Sequence, residues 1–410
     1  MVNGIRLTHD ASRMSSDVVR MRTRETLSCG TRIAFALWGP GDHPLAAGGK
    51  KWRNKMKKWN IGILVWFLVM GLSAFSAHAM GGHNPTLGQR ALMHAMETLS
   101  ASPFDEGLTL VTNAGYVKHQ GESTGPILDT VTRLSAISRG AGNLLSVHAR
   151  FDEPLFMVFV HRKGPKELSA VSLTLDGDEL VASEVFNLWV GPGTSFAPFQ
   201  EILGKKSFAI VTLANGRYDR VPEELLQGAL FHDHFCCGVA TGYFTTGYIL
   251  SQLPLRDGES YTYIGVPAWC QDDYIVRHLN LTPGKKGYLS MIYPYNRPWK
   301  SNGTTWDQLG GVVIRFNSTT HKGDASVLSF QWKTGAFLES LGLSQSDLNW
   351  KENPWLHVCY NRWIFSQPPS PEEFVSTHKT IPLNSTDDFN ALTRMGANPL
   401  SVILGEDTEW

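Results

Sequence analysis

Five cysteines in 410 residues are too few to staple a fold of this length, so a buried core must stabilise it and each thiol needs its own explanation. Long apolar runs are equally sparse. The stretch Ile61 to Phe75 has no successor and is shorter than the roughly 20 residues that cross a bilayer, which excludes a multi-span membrane protein. Low-complexity segments are absent. A surplus of positive charge is also missing downstream: the first 79 residues hold 12 Lys+Arg against 4 Asp+Glu, leaving 25 basic and 33 acidic residues after them. A balance near −8 lacks the basic face that electrostatic binding of nucleic acid requires.

What is present begins with a leader. The basic run Lys50, Lys51, Arg53, Lys55, Lys57 and Lys58 leads into the apolar stretch, which closes on Ala77-His78-Ala79, the small-x-small pattern of a secretory cleavage site. Cleavage after Ala79 is expected to send the mature chain to the periplasm or outside the cell, with no stable membrane span left. Met56 opens the sequence Met-Lys-Lys, so residues 1–55 read as upstream or mis-started sequence and residues 56–79 as the signal peptide.

The 331 residues that remain are enough for two domains of roughly 150 each. Apolar residues at three- and four-residue steps predict helices over Leu87–Leu99, Gly125–Ala136, Gly238–Leu253 and Asp272–Leu279. Runs of β-branched and aromatic residues predict strands over Leu155–His161, Phe208–Leu213, Tyr261–Val266, Gly287–Ile292 and Val312–Phe316. Helices and strands interleaved in this way give an α+β fold. Two stretches align at a constant offset of 144: Gly140 lies over Gly284, Leu145 over Leu289, Asp129 over Asp273 and Pro154 over Pro298. At an offset of 154, Gly88 meets Gly242 and Leu99 meets Leu253. The expectation is two copies of one unit, residues 80–225 and 226–410.

The copies differ where chemistry is concentrated. His232-Asp233-His234-Phe235-Cys236-Cys237-Gly238 occurs only in the second, and Cys270 there is matched by Pro126 in the first. In an extended segment His232, His234 and Cys236 project to one side, and imidazole and thiolate suit borderline or soft divalent ions. Cys270 is the remote fourth donor, with Asp272 or Asp273 able to ligate or to orient a histidine. Gly238 and small residues after it predict a helix starting at the motif, whose N-terminus favours thiolate at Cys236 or Cys237. The rival reading is a disulfide to Cys270 or Cys359. Cys359, after Val358, reads as buried.

Other features read as structural. Thr282-Pro283-Gly284-Lys285-Lys286-Gly287 lacks the spacing of a P-loop and reads as a tight turn, with anion binding the alternative. His119, His148 and His161 have no partner at ligand spacing. Tyr293, Tyr295, Trp299 and Trp306 read as core aromatics or a pocket wall.

His-x-His-x-Cys-x-Gly opening a helix, a lone Cys-x-x-Asp about thirty residues on, and then Thr-x-Gly-Lys-x-x-x-Leu together resemble the FmdE family, named after a component of formylmethanofuran dehydrogenase, from about Leu230 to Tyr295. The resemblance implies an α+β core that pairs into dimers and a metal, often assigned as zinc, held by His232, His234, Cys236 and Cys270. Two tandem copies would then form an intramolecular pseudo-dimer, a monomer rather than a homodimer, with the first copy a degenerate FmdE-like unit without ligands. The family's usual Gly between the histidines is Asp233 here, and its usual Pro after the cysteine is Cys237. The C-terminal zinc finger of some members needs several cysteines, and only Cys359 remains.

Taken together, the sequence predicts an exported metal-binding protein with a divalent transition metal, zinc first and nickel or iron as alternatives, and room for a small-molecule ligand. Asp272 and Asp273 are candidate bases if the site is catalytic. Two rival classes stand beside this reading: an enzyme with a Cys236 or Cys237 nucleophile and a histidine base, and a non-enzymatic ligand-binding module stapled by metal or disulfide.

Overall fold

The computed structural model describes residues 86–291, 300–301, 304–305, 308–367 and 370–405. The leader and Tyr293, Tyr295, Trp299 and Trp306 lie outside these residues.

The chain begins with a helix whose apolar stripe is set by spacing. In α1 (Leu87–Leu99), Ala91, Leu92, Ala95, Met96 and Leu99 are buried, and the Thr86 hydroxyl caps the first turn by accepting from Gln89 N–H at 3.3 Å. There follow β1 (Leu108–Thr112), the short pair β2 (Lys118–His119) and β3 (Glu122–Ser123), α2 (Gly125–Leu134), β4 (Leu144–Ser146), β5 (Phe156–Gly164), β6 (Glu167–Asp176), β7 (Glu179–Ala182) and β8 (Phe186–Asn187). Three helices then run together: α3 (Ala197–Leu203), α4 (Ser207–Tyr218) and α5 (Glu223–Phe231). The remaining chain forms α6 (Cys237–Gln252), β9 (Ser260–Gly265), α7 (Cys270–His278), β10 (Tyr288–Ser290), the pair β11 (Lys300–Ser301) and β12 (Thr304–Thr305), β13 (Gln308–Asn317) and β14 (Lys322–Phe330). It ends with α8 (Thr334–Ser340), α9 (Trp355–Ile364), β15 (Val375–Leu383), α10 (Thr386–Thr393) and α11 (Pro399–Leu404). This is an α+β fold. No helix among the described residues is long and apolar enough to cross a membrane.

The two large sheets share one plan. The first has the order β4-β1-β5-β6-β7, with β8 added to β6; the second has the order β10-β9-β13-β14-β15. In each, the leading strand pairs in parallel with the short strand after the second helix and antiparallel with the next long one. The parallel partners, Leu144–Ser146 and Tyr288–Ser290, stand 144 positions apart. One difference is that α8 and α9 intervene between β14 and β15, whereas β6 turns directly into β7.

Alternation along the strands decides which helices each sheet meets. Leu108, Leu110, Met157 and Phe159 face α1 and α2, while Val111, Phe156, Val158 and Val160 face a central core that includes α4, α5, α6 and α9. In the second sheet, Tyr261, Tyr263 and Val313 meet Ile249 of α6 and Ile275 of α7, and Val312, Ile314 and Phe316 meet Leu392 and Leu400.

The predicted helices stand where expected to within two residues, but Phe208–Leu213, predicted as a strand, lies inside α4. Its β-branched and aromatic run imitates a buried strand. Every residue from Ala209 to Gly216 is buried, so the helix carries no amphipathic signature to separate the two readings. The 282–287 segment is a turn, with Lys286 at φ 59° and the Lys285 ammonium donating to Asn280 Oδ1.

The contact of α6 with α7 depends on glycine. A Cβ at Gly242 would stand 2.6 Å from the Gln271 carbonyl oxygen and 2.8 Å from Tyr274 Cβ, and one at Gly238 would stand 2.7 Å from Cys270 Cβ. Gly242→Ala is therefore expected to destabilise the protein by about 1–3 kcal/mol, read as a lower denaturation midpoint. Gly284→Ala, where a Cβ meets nothing, should stay within about 0.5 kcal/mol of the parent. Equal midpoints for both variants would contradict the close crossing.

Candidate metal centre

The centre is assembled by two helix starts and one turn. Helix α5 ends at Phe231, and the His232 N–H still bonds to the Gly228 carbonyl at 3.0 Å. The chain then reverses through Asp233, which takes φ 75°, and becomes extended at Cys236, the residue that caps α6. The expected extended His-x-His-x-Cys segment is thus a turn: the left-handed residue bends the chain, and the donors converge by curvature rather than by strand alternation. A position at positive φ suits glycine, and Asp is among the side chains that tolerate it. Cys270 is the first residue of α7 and reaches the cluster because Gly238 has no side chain.

One donor atom from each of His232, His234, Cys236 and Cys270 lies within 4.8 Å of the others. Both histidines are oriented from behind. His232 Nδ1 is 2.6 Å from Asp273 Oδ2, and His234 Nδ1 is 2.6 Å from Asp233 Oδ1, which leaves the Nε2 atoms for the cluster. His232 Nε2 is buried and no protein group pairs with it. A buried, unpaired nitrogen beside two sulfurs is what a soft or borderline cation would satisfy, and carboxylate-backed histidines are a frequent support of metal ligands.

The electrostatics of the metal-free cluster follow from its contents. Cys270 is held far below the usual thiol range, first by its hydrogen bond with the Cys236 thiol and then, against burial, by His232 and His234. Cys236 is pushed well up by Cys270 and by burial. Burial pulls His232 down, but Asp273 and Cys270 overcome it and raise its pKa to about 9; His234 is raised in the same way by Asp233 and Cys270. The cluster thus draws negative charge toward the Cys270 sulfur and positive charge toward the imidazoles, and a cation arriving there would displace protons from its donors.

The turn is gripped from both ends of the chain. The Thr212 hydroxyl of α4 accepts from Phe235 N–H at 3.0 Å, and the Asn361 amide of α9 donates to the Phe235 carbonyl at 3.1 Å. Phe208 of α4 stands edge-on to His234 with ring centroids 5.2 Å apart, and Lys206 lies 3.9 Å from Asp233 while pairing with Glu153 at 2.7 Å. His357 of α9 accepts from Cys237 N–H at 3.4 Å, its Nδ1 is 3.1 Å from Cys237 Sγ, and burial holds its pKa down to about 4. Sequence reasoning missed Thr212, Phe208, Asn361 and His357. Their segments carry no motif, and only the folded chain places them at the turn.

The other singled-out residues have separate places. Asp272 is buried, and its Oδ2 accepts from Trp269 N–H at 2.8 Å, so it caps α7. Burial raises its pKa to about 7. Burial pushes Cys237 far above the thiol range, and it raises Cys359 to about 11. All four described cysteines are free. His148 stacks on Phe231, His161 lies 3.2 Å from Asp105 and His119 lies 3.9 Å from Asp178, so none of them joins the cluster.

Fold and donor set define an α+β protein with a His₂Cys₂ cluster at two helix N-termini. The segment 231–339 matches the family model described as "FmdE, Molybdenum formylmethanofuran dehydrogenase operon". It contains all four donors and ends in α8, so His357 and Asn361 lie beyond it. A search of curated proteins found no match.

Thr212→Val removes the hydroxyl that holds the buried Phe235 N–H. The expected loss is about 1–3 kcal/mol in denaturant unfolding, because the amide is left without a partner. An unchanged midpoint would mean that the turn does not depend on α4.

Proposed function

We propose that this chain is an exported FmdE-like metal-binding protein in which His232, His234, Cys236 and Cys270 hold one divalent transition ion, zinc before nickel or iron. The observation that carries the reading is the unpaired, buried His232 Nε2 facing two thiols, with both imidazoles turned toward the cluster by carboxylates. Two nitrogens and two sulfurs are a frequent zinc set, and four protein donors fill a tetrahedral shell, which suits metal holding, handling or sensing. With one donor released, the ion would supply Lewis acidity to a small-molecule ligand. The thiol-enzyme alternative is disfavoured by Cys237, which burial keeps protonated.

Purified without added metal, residues 80–410 should carry about one equivalent, and a Cys236→Ser, Cys270→Ser double variant none. Asp273→Asn should keep the stoichiometry but lose affinity about 10–100-fold in chelator competition, since it frees His232 to rotate. Metal in the double variant, or none in the parent after reduction, would reject the site.

The chain is further proposed to be a tandem duplication that folds as its own pseudo-dimer. The constant offset in sequence, the common strand order of the two sheets and the contribution of α4 to the turn support it. Export rests on the leader. Protein recovered from the cell envelope should begin at Met80 and run as a monomer in light scattering. An uncleaved N-terminus would overturn the export reading, and an obligate homodimer the pseudo-dimer.

A further inference from the structure

A cavity of about 230 Å³ lies apart from the metal centre, between the first sheet and the last turn of α4. Arg162, Arg217 and Arg220 line it, together with Thr109, Tyr218 and one acid, Glu106. Among the described residues no carboxylate lies within ion-pair distance of any of these three guanidinium groups.

Two of the three arginines are held in place. Arg162 lies over the Tyr218 ring at 4.7 Å, and the Tyr218 hydroxyl accepts from Lys166 N–H at 3.1 Å. Arg217 donates through Nη2 to the Ala141 carbonyl at 3.1 Å, while its Nε is buried and unpaired. A guanidinium tethered at one nitrogen keeps the planar fork that matches an oxyanion in two hydrogen bonds, and its ordering entropy is already spent. Glu106, Asp219, which is close enough to Arg162 to feel its charge, and the C-terminal carbonyls of α4 offset part of the positive charge. The remainder suits a dianion, held more strongly than in bulk water because the cavity walls are protein.

We infer that this cavity is a binding site for a small doubly charged oxyanion, engaged by Arg217 and Arg162 and closed by Arg220. Phosphate and a short dicarboxylate share the required chemistry. Nothing in the argument depends on the metal centre.

Titration calorimetry on the full chain, in chloride at physiological strength, should show saturable binding of inorganic phosphate or of succinate; whichever binds names the class. Arg217→Gln should weaken that binding by about tenfold or more. Arg220→Gln, on an exposed side chain that the fold does not need, should weaken it several-fold, and it decides the question if Arg217→Gln fails to fold. Metal content should not change in either variant. Binding of neither anion, or parental affinity in the folded variants, would overturn the proposal.

Discussion

The close crossing of α6 and α7 is the constraint from which the rest of the site follows. Gly238 and Gly242 let the two helices approach until a single added methyl group would overlap Cys270 or the Gln271 carbonyl. That approach puts two helix N-termini side by side, with Cys236 capping one and Cys270 opening the other. Each terminus presents partial positive charge, which adds to the pull of the two histidines on the Cys270 sulfur. Sequence separation is irrelevant here: the thiols are 34 positions apart, yet their geometry is as local as that of neighbours in one turn.

Charge in a buried cluster of thiols and imidazoles is costly unless it is matched. The matching comes from three sources: helix termini for the sulfurs, and one carboxylate behind each histidine. Asp273 sits one turn into α7, so the helix that supplies Cys270 also aims His232. Asp233 sits in the turn itself, at the backbone angle that makes the turn. An acid at this left-handed position, where glycine would also fit, puts a carboxylate against His234 and keeps the bend. The same residue therefore shapes the chain and orients a donor.

Much of this is legible in sequence, and the parts that are not share one cause. The helices at Leu87–Leu99 and Cys237–Gln252 and the strands around β5, β9 and β13 follow from local periodicity, and the four donors from residue type and spacing. Helix α4 imitates a strand because it is buried on every side and rich in β-branched residues. The turn at His232–Cys236 imitates an extended segment because nothing in the residues announces a left-handed aspartate. Thr212, Asn361 and His357 are invisible because their roles exist only after α4 and α9 pack against the turn. Local chemistry names the donors, whereas tertiary contacts hold them.

Those tertiary contacts bear on how the two halves relate. The Phe235 peptide has its N–H satisfied by a side chain more than twenty residues before it and its carbonyl by one more than a hundred after it. A buried peptide group left unpaired is expensive, so the turn cannot adopt this shape in the isolated 231–339 segment, which contains neither partner. Helix α4 precedes the segment that matches the family model, and α9 follows it. Removing α4 would leave the Phe235 N–H without its partner and release the turn that carries His232, His234 and Cys236. The geometry of the site is thereby set by residues on both sides of the segment that holds the donors.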